Sequence, residues 1–262
     1  MNRSGPALVD WKAPPALAEA EESLTRDAER WLVDLREAAP YADGHIPGSV
    51  NIAVRGRLET WVGTMVPWQA PLVLIGSDAD IKEAVFRLHR VAYEGQVLPF
   101  DAWTKAGLAL ARSGTIAPAD LYQQMQDGTA PIIVDVRMPQ EWRAMRIGTV
   151  VNLPIHHLAG LSRKLDPDLP VVAVCNSAYR SSLAAGILQR QGFKHVSSLA
   201  GGSAAWIDAG YPVYGSANAA VAAPQHRQIQ IAERISPADL SRLIKDLPGT
   251  FDLVDIRPPE AF

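Results

Sequence analysis

Short β-branched apolar runs and stretches of helical spacing take turns along the chain. Val171 to Val174, bounded by Pro170, has the pattern of a strand buried on both faces. From Ser181 onward Leu183, Ala184, Ile187, Leu188 and Gln191 recur at helical spacing, and a six-residue loop, Cys175-Asn176-Ser177-Ala178-Tyr179-Arg180, joins strand to helix. Similar runs at Leu72 to Ile75, Val150 to Leu153 and Val196 to Leu199 predict further strands. Pro118 suits the first turn of a helix that continues through Tyr122 and Met125 and stops at Gly128, and another helix is expected around Gln140 to Ala144. Strands alternating with helices predict an α/β fold of parallel sheets with helices on both faces, with any site at a strand's carboxyl end.

One strand is written three times, as Trp31-Leu32-Val33-Asp34-Leu35-Arg36, Ile132-Ile133-Val134-Asp135-Val136-Arg137 and Asp252-Leu253-Val254-Asp255-Ile256-Arg257. A period of roughly 100 residues means duplicated domains and not a solenoid. The expected organisation is an N-terminal linker or arm over 1–18, a first domain over 19–112, a second over 113–215, a linker of small residues over 216–234, and the start of a third domain over 235–262. That last segment supplies about a strand and a helix and cannot bury a core alone. It leans on the second domain or belongs to a longer protein, and the latter is the preferred expectation.

Composition narrows the class. The 262 residues carry 25 Lys and Arg against 28 Asp and Glu, a formal charge of −3, with 48% hydrophobic residues, which offers no basic surface for nucleic acid. No apolar run approaches the roughly 20 residues of a membrane span, and the N-terminus lacks the apolar core of a signal peptide. A single cysteine excludes an internal disulfide, so a reducing cytoplasm is the expected location. The His156-His157 pair, with no third ligand-like neighbour, is a poor metal site and is read as exposed.

The lone cysteine is where the chemistry concentrates. A strand passing through a tight loop into a helix aims backbone N–H groups at one spot with the positive end of the helix dipole behind them, which favours a thiolate at Cys175. Arg180 adds an ionised fork suited to an oxyanion or a persulfide. A lone cysteine is more often a small buried apolar side chain. Here strand, short loop, closing arginine and a helix opening in small residues coincide, and together they point to a nucleophile. In the first copy Gly76 stands where Cys175 stands, and Ser77-Asp78-Ala79-Asp80 puts two carboxylates at the helix start, so that copy is expected to be inert toward an anionic substrate.

Cys175-x-x-x-x-Arg180-Ser181, with Asp135-Val136-Arg137 upstream and Gly201-Gly202 and Trp206 downstream, resembles the rhodanese-type sulfurtransferases. Gly44-His45-Ile46-Pro47-Gly48 in the first copy also matches their domains, whereas Met145-Arg146-Ile147-Gly148-Thr149 in the second departs from it. The resemblance implies tandem rhodanese-like domains in which Cys175 accepts a sulfane sulfur as a persulfide and passes it on. Asn176, Ser177, Ala178, Tyr179 and Ser181 would bind the persulfide through backbone amides and, at the two serines, hydroxyls. Asp135 and Arg137 would be structural support, and Arg146 would face either the pocket or solvent. The implied partners are a small-molecule donor, either thiosulfate or a low-molecular-weight persulfide, and a thiol or cyanide acceptor. No metal or other cofactor is implied. Because the loop has no lysine, a persulfide suits it better than doubly charged thiosulfate. Leu58 to Pro67 is similar to a segment of rhodanese domains fused to persulfide dioxygenases, which makes such a domain or protein a candidate partner. Two other classes compete: a non-catalytic binding module, and a cysteine-dependent phosphatase or arsenate reductase, whose loops resemble this one but hold five residues between Cys and Arg where this one holds four.

Overall fold

The computed structural model describes residues 14–148 and 150–215, and the expected linker and third domain over 216–262 lie outside the described residues. The first unit contains β1 (Trp31–Asp34), α1 (Ala38–Asp43), β2 (Val50–Asn51), α2 (Leu58–Met65), β3 (Leu72–Gly76), α3 (Asp78–His89), β4 (Gln96–Pro99) and α4 (Phe100–Lys105). The second contains β5 (Gly114–Ile116), α5 (Pro118–Asp127), β6 (Ile132–Asp135), α6 (Pro139–Ala144), β7 (Val151–Asn152), α7 (Leu158–Leu161), β8 (Val171–Val174), α8 (Tyr179–Arg190), β9 (Val196–Leu199) and α9 (Gly202–Asp208).

Both sheets are parallel, in the orders β2-β1-β3-β4 and β5-β9-β8-β6-β7. Leu17 bridges Val97 in parallel, so residues 16–18, which the sequence reading gave to an arm, occupy beside β4 the place that β5 occupies beside β9. The duplication extends to side chains. Trp103 and Trp206 are each 1% exposed, and their indole N–H groups donate to Ala109 and Pro212 carbonyls at 3.0 and 2.9 Å. The rewritten turn at Arg146 also keeps its partner: Arg146 pairs with Tyr214 in an antiparallel bridge, as His45 pairs with Ala111. His45 itself is fully buried between the Tyr41 carbonyl and Gln189, both at 2.8 Å, and burial pushes its imidazole below its ordinary range. It is a structural histidine.

Alternation along β8 fixes where the cysteine goes. Val172 and Val174 join the outer cluster with Leu121, Leu199 and Trp206, whereas Val171, Ala173 and Cys175 face an inner cluster shared with Val33, Leu72 and Leu74 of the first sheet. Helix α8 lies within that shared core, and Ser181 through Leu188 are all buried. It begins at Tyr179, two residues before the expected start at Ser181, so Tyr179 and Arg180 form its first turn and the connecting loop is only Cys175–Ala178. Among the described residues no helix is long and apolar enough to cross a membrane.

Candidate functional site

Cys175 continues the inward side of β8 and is 1% exposed. Its thiol points at the Ser181 hydroxyl, 3.4 Å away, and that hydroxyl donates to the Ala178 carbonyl at 3.1 Å. A Ser181 O–H released from Ala178 can donate to the sulfur instead, which suits a sulfur that gains negative charge. Above the thiol, Asn176 and Ser177 are exposed. At 1% exposure the thiol is covered.

Ala178 turns the chain into α8 with φ of +70°, a left-handed conformation that costs a non-glycine residue on the order of 1 kcal/mol and persists only when its surroundings hold it. The amides of Asn176 through Ser181 donate to no other described residue, those of Tyr179 to Ser181 because the first amides of a helix have no intrahelical acceptor. The loop and first-turn amides that follow the cysteine are therefore available as donors to an anion.

The loop is pinned from α9. Ser203 and Ala204 donate their amides to the carbonyls of Cys175 and Asn176 at 2.7 and 3.1 Å, and the Ser203 hydroxyl reaches Asn176 Oδ1 at 3.4 Å. Gly202 makes this approach possible: φ is +64°, and a Cβ there would stand 2.5 Å from the Cys175 carbonyl oxygen. The clashing atoms, from Cys175 and Asn176, are all backbone, so Gly202→Ala is expected to displace the loop, destabilise the protein by about 1–3 kcal/mol and slow alkylation of Cys175 by iodoacetamide. A wild-type urea midpoint together with a wild-type alkylation rate would show that the α9 contact does not shape the loop.

Arg180 does not offer its fork to the pocket. Nη1 and Nη2 donate to the two oxygens of Glu141 at 2.7 and 2.8 Å. The ion pair holds the Glu141 carboxyl below its ordinary range and raises the Arg180 guanidinium further. Glu141 also accepts the Met138 amide at 3.1 Å and so caps α6. It is the residue the sequence reading missed. Its one local signal is a glutamate three residues after Met138 and beside Pro139, the spacing of a capping acid. Tyr179, a candidate for binding through its amide, sends its side chain away to the first unit, where its hydroxyl donates to the Ala53 carbonyl at 3.2 Å. Arg146, expected to face either the pocket or solvent, is half-buried with its guanidinium 4.8 Å from the Trp142 ring centre.

Asp135 and Arg137 form a fully buried staple. Arg137 Nε and Nη2 donate to both Asp135 oxygens, Nη2 also reaches the Met145 carbonyl at 2.6 Å, and the Asn152 amide ties the Asp135 and Arg137 carbonyls at 2.9 Å each. Asp34, Arg36 and Asn51 repeat the motif in the first unit. The equivalent of the cysteine loop is absent there. β3 passes to α3 through Ser77 alone, whose hydroxyl and the Asp80 amide and carboxylate cap each other. Ser77 rather than an aspartate is the cap, and a Cβ on Gly76 would already be 3.3 Å from Leu35 Cβ and 3.4 Å from Asp80 Cβ. Among the described residues no cluster of three His, Cys, Asp or Glu could hold a metal, and His156 and His157 are exposed, with His156 stacked 5.6 Å from Trp61.

The sequence profile of the rhodanese-like domain matches this chain twice, over residues 16–98 and 117–209. A sulfurtransferase of Allochromatium vinosum is 33% identical over 93 residues, which span 36% of this chain and 87% of that protein. The thiosulfate sulfurtransferase GlpE of Pseudomonas syringae pv. syringae is 37% identical over 89 residues, spanning 34% and 83%. Among solved structures, a rhodanese-related protein from Thermoplasma volcanium is 32% identical and covers 38% of this chain and 97% of its own, with a TM-score of 0.36.

Proposed function

Since the chain belongs to the rhodanese-like domain family, we propose that it is a sulfurtransferase whose sulfur carrier is Cys175, loaded by a low-molecular-weight persulfide in preference to thiosulfate. The Cys175 thiolate attacks the outer sulfur of the donor, a new S–S bond forms on Cys175, and the donor leaves as its thiolate, or as sulfite when the donor is thiosulfate. An acceptor thiol or cyanide then attacks the outer sulfur and departs as a persulfide or thiocyanate, which restores the Cys175 thiolate. The observation that carries the reading is the sulfur at the end of β8, 3.4 Å from the Ser181 hydroxyl and next to the unpartnered amides that open α8. Each well-aimed donor of that kind contributes on the order of 3 kcal/mol to an anionic transition state.

Charge favours the persulfide. The loop has no lysine, and its arginine is neutralised by Glu141. A doubly charged donor gains little there. The same closed fork argues against a phosphatase, which needs the arginine for its transferred group.

The thiol is covered, so loading begins with movement of the exposed Asn176–Ser177 segment. That burial is also the observation that favours the competing reading, a non-catalytic binding module with a packing cysteine. Intact mass spectrometry separates them. Exposed to glutathione persulfide, the protein is expected to gain one sulfur atom and lose it to cyanide, with slower loading from thiosulfate at equal concentration. No gain from either donor would overturn the sulfurtransferase reading, and faster loading from thiosulfate would overturn the donor preference.

A further inference from the structure

A stripe of α8 belongs to the first unit. Tyr179 meets Ala53, the Ser182 hydroxyl donates to Asn51 Oδ1 at 2.7 Å, and Gln189 meets His45 at 2.8 Å. Between them Gly186 lets the helix backbone rest on β2, because a Cβ there would be 2.8 Å from Val50 Cα. Positions 179, 182, 186 and 189 fall on one helical face. The helix that carries the reactive loop of one sheet is thus seated on the other.

The seat nearest the sulfur is built with particular care. The Tyr179 ring lies over Gly56 so closely that a Cβ there would stand 2.2 Å from Cε2. The turn from Ala53 to Gly56 is closed by the Gly56 amide donating to the Ala53 carbonyl, which also accepts the Tyr179 hydroxyl. Arg87, on α3, holds that turn from behind: it donates to the carbonyls of Val54 and Gly56 and forms a two-point ion pair with Glu59 of α2. That pair holds the Glu59 carboxyl down to about 2. Ala178, the left-handed residue, therefore stands between two anchors. On one side α9 pins the Cys175 and Asn176 carbonyls, and on the other the first unit pins Tyr179. A strained turn of this kind survives only if both ends are fixed.

We propose that the cysteine-less first domain positions the reactive loop of the second: Glu59 and Arg87 fix the turn at Ala53–Gly56, the turn seats Tyr179, and seated Tyr179 holds Ala178 left-handed so that the opening amides of α8 stay beside Cys175. Glu59, Arg87 and Tyr179 are positioning residues, and this role rests on the sulfurtransferase reading of Cys175. It gives the inert copy a task that its own missing loop does not require.

The test uses the full chain with Gly56→Ala, Arg87→Gln, Arg87→Lys and Tyr179→Phe. Two rates are measured at fixed pH, alkylation of Cys175 by iodoacetamide and sulfur loading from glutathione persulfide, alongside the melting temperature. Gly56→Ala and Arg87→Gln are expected to lower both rates on the order of tenfold. In steady-state transfer the loss is expected in kcat with KM unchanged. Arg87→Lys is expected to recover part of the loss, and Tyr179→Phe, which keeps the ring on Gly56, to lose less than Gly56→Ala. Wild-type rates in both Gly56→Ala and Arg87→Gln would overturn the proposal, as would losses that track melting temperature across the four variants. If Gly56→Ala does not fold, Tyr179→Phe and the Arg87 pair carry the same comparison. Alkylation needs no sulfur donor, so it reads the clamp even if wild-type protein fails to load, while loading of the wild type tests the function separately.

Discussion

Cys175→Ser is expected to fold as the wild type does, to gain no sulfur from any donor, and to lose sulfur transfer by at least about a thousandfold. The chain contains one cysteine, so no second thiol can take over the carrier role. An alcohol in that place is a weak nucleophile at neutral pH, because among the described residues its hydrogen-bond neighbour is another hydroxyl, Ser181, and Arg180 and Glu141 are locked to each other. Stability changes little. The substitution keeps the shape of a side chain that is 1% exposed, and the new hydroxyl can donate to Ser181 as the thiol does. A shift within about 1–2 kcal/mol is expected. Intact mass after donor exposure, thiocyanate formed from cyanide, and a thermal melt check the three parts together. Undiminished transfer by a folded Cys175→Ser protein would remove the carrier role altogether.

What the sequence made legible follows from how local each feature is. The inward aim of Cys175 is a consequence of alternation along Val171–Val174, and alternation is written in the residues themselves. The staple of Asp135 and Arg137 is likewise local, spanning two positions, and it reads the same in both copies. Helical spacing begins only at Ser181 in the sequence because Tyr179 and Arg180 are polar or aromatic and carry no apolar period, and their partners lie on other elements. Glu141 was invisible as the partner of Arg180 for the same reason: the pair joins α6 to α8, and only the order of β6, β7 and β8 in the sheet brings those helices together. The seat of Tyr179 on Gly56 spans the two sheets and leaves no mark in either segment. The shorter β3–α3 connection, one residue where β8–α8 has four, is legible only once the start of α8 at Tyr179 is known.

Arg137→Ala is expected to destabilise the protein by about 3–5 kcal/mol, the cost of leaving a buried charge without its partner. Asp135 is fully buried, and the guanidinium fork supplies the side-chain donors to both of its oxygens, so that truncation leaves the amide of residue 137 itself as donor. Against a total stability of about 5–15 kcal/mol this is a large fraction, and for a protein of this size it corresponds to a fall in melting temperature on the order of 10 °C. The duplicated staple supplies an internal comparison. Arg36 makes the same fork to Asp34, but its side chain is 16% exposed against 3% for Arg137, and its guanidinium lies 3.4 Å from the centre of the Phe100 ring. Water can enter when Arg36 is truncated, so Arg36→Ala is expected to cost less than Arg137→Ala, although it also loses the ring contact. The two also differ in what they reach. Arg137 Nη2 holds the Met145 carbonyl at the end of α6, and α6 carries Glu141 to Arg180 beside the sulfur. Sulfur loading measured well below the melting temperature should therefore fall in Arg137→Ala more than in Arg36→Ala. Equal melting temperatures for the two variants would show that burial does not rank these pairs, and wild-type loading by Arg137→Ala would cut the link from the staple through α6 to Cys175.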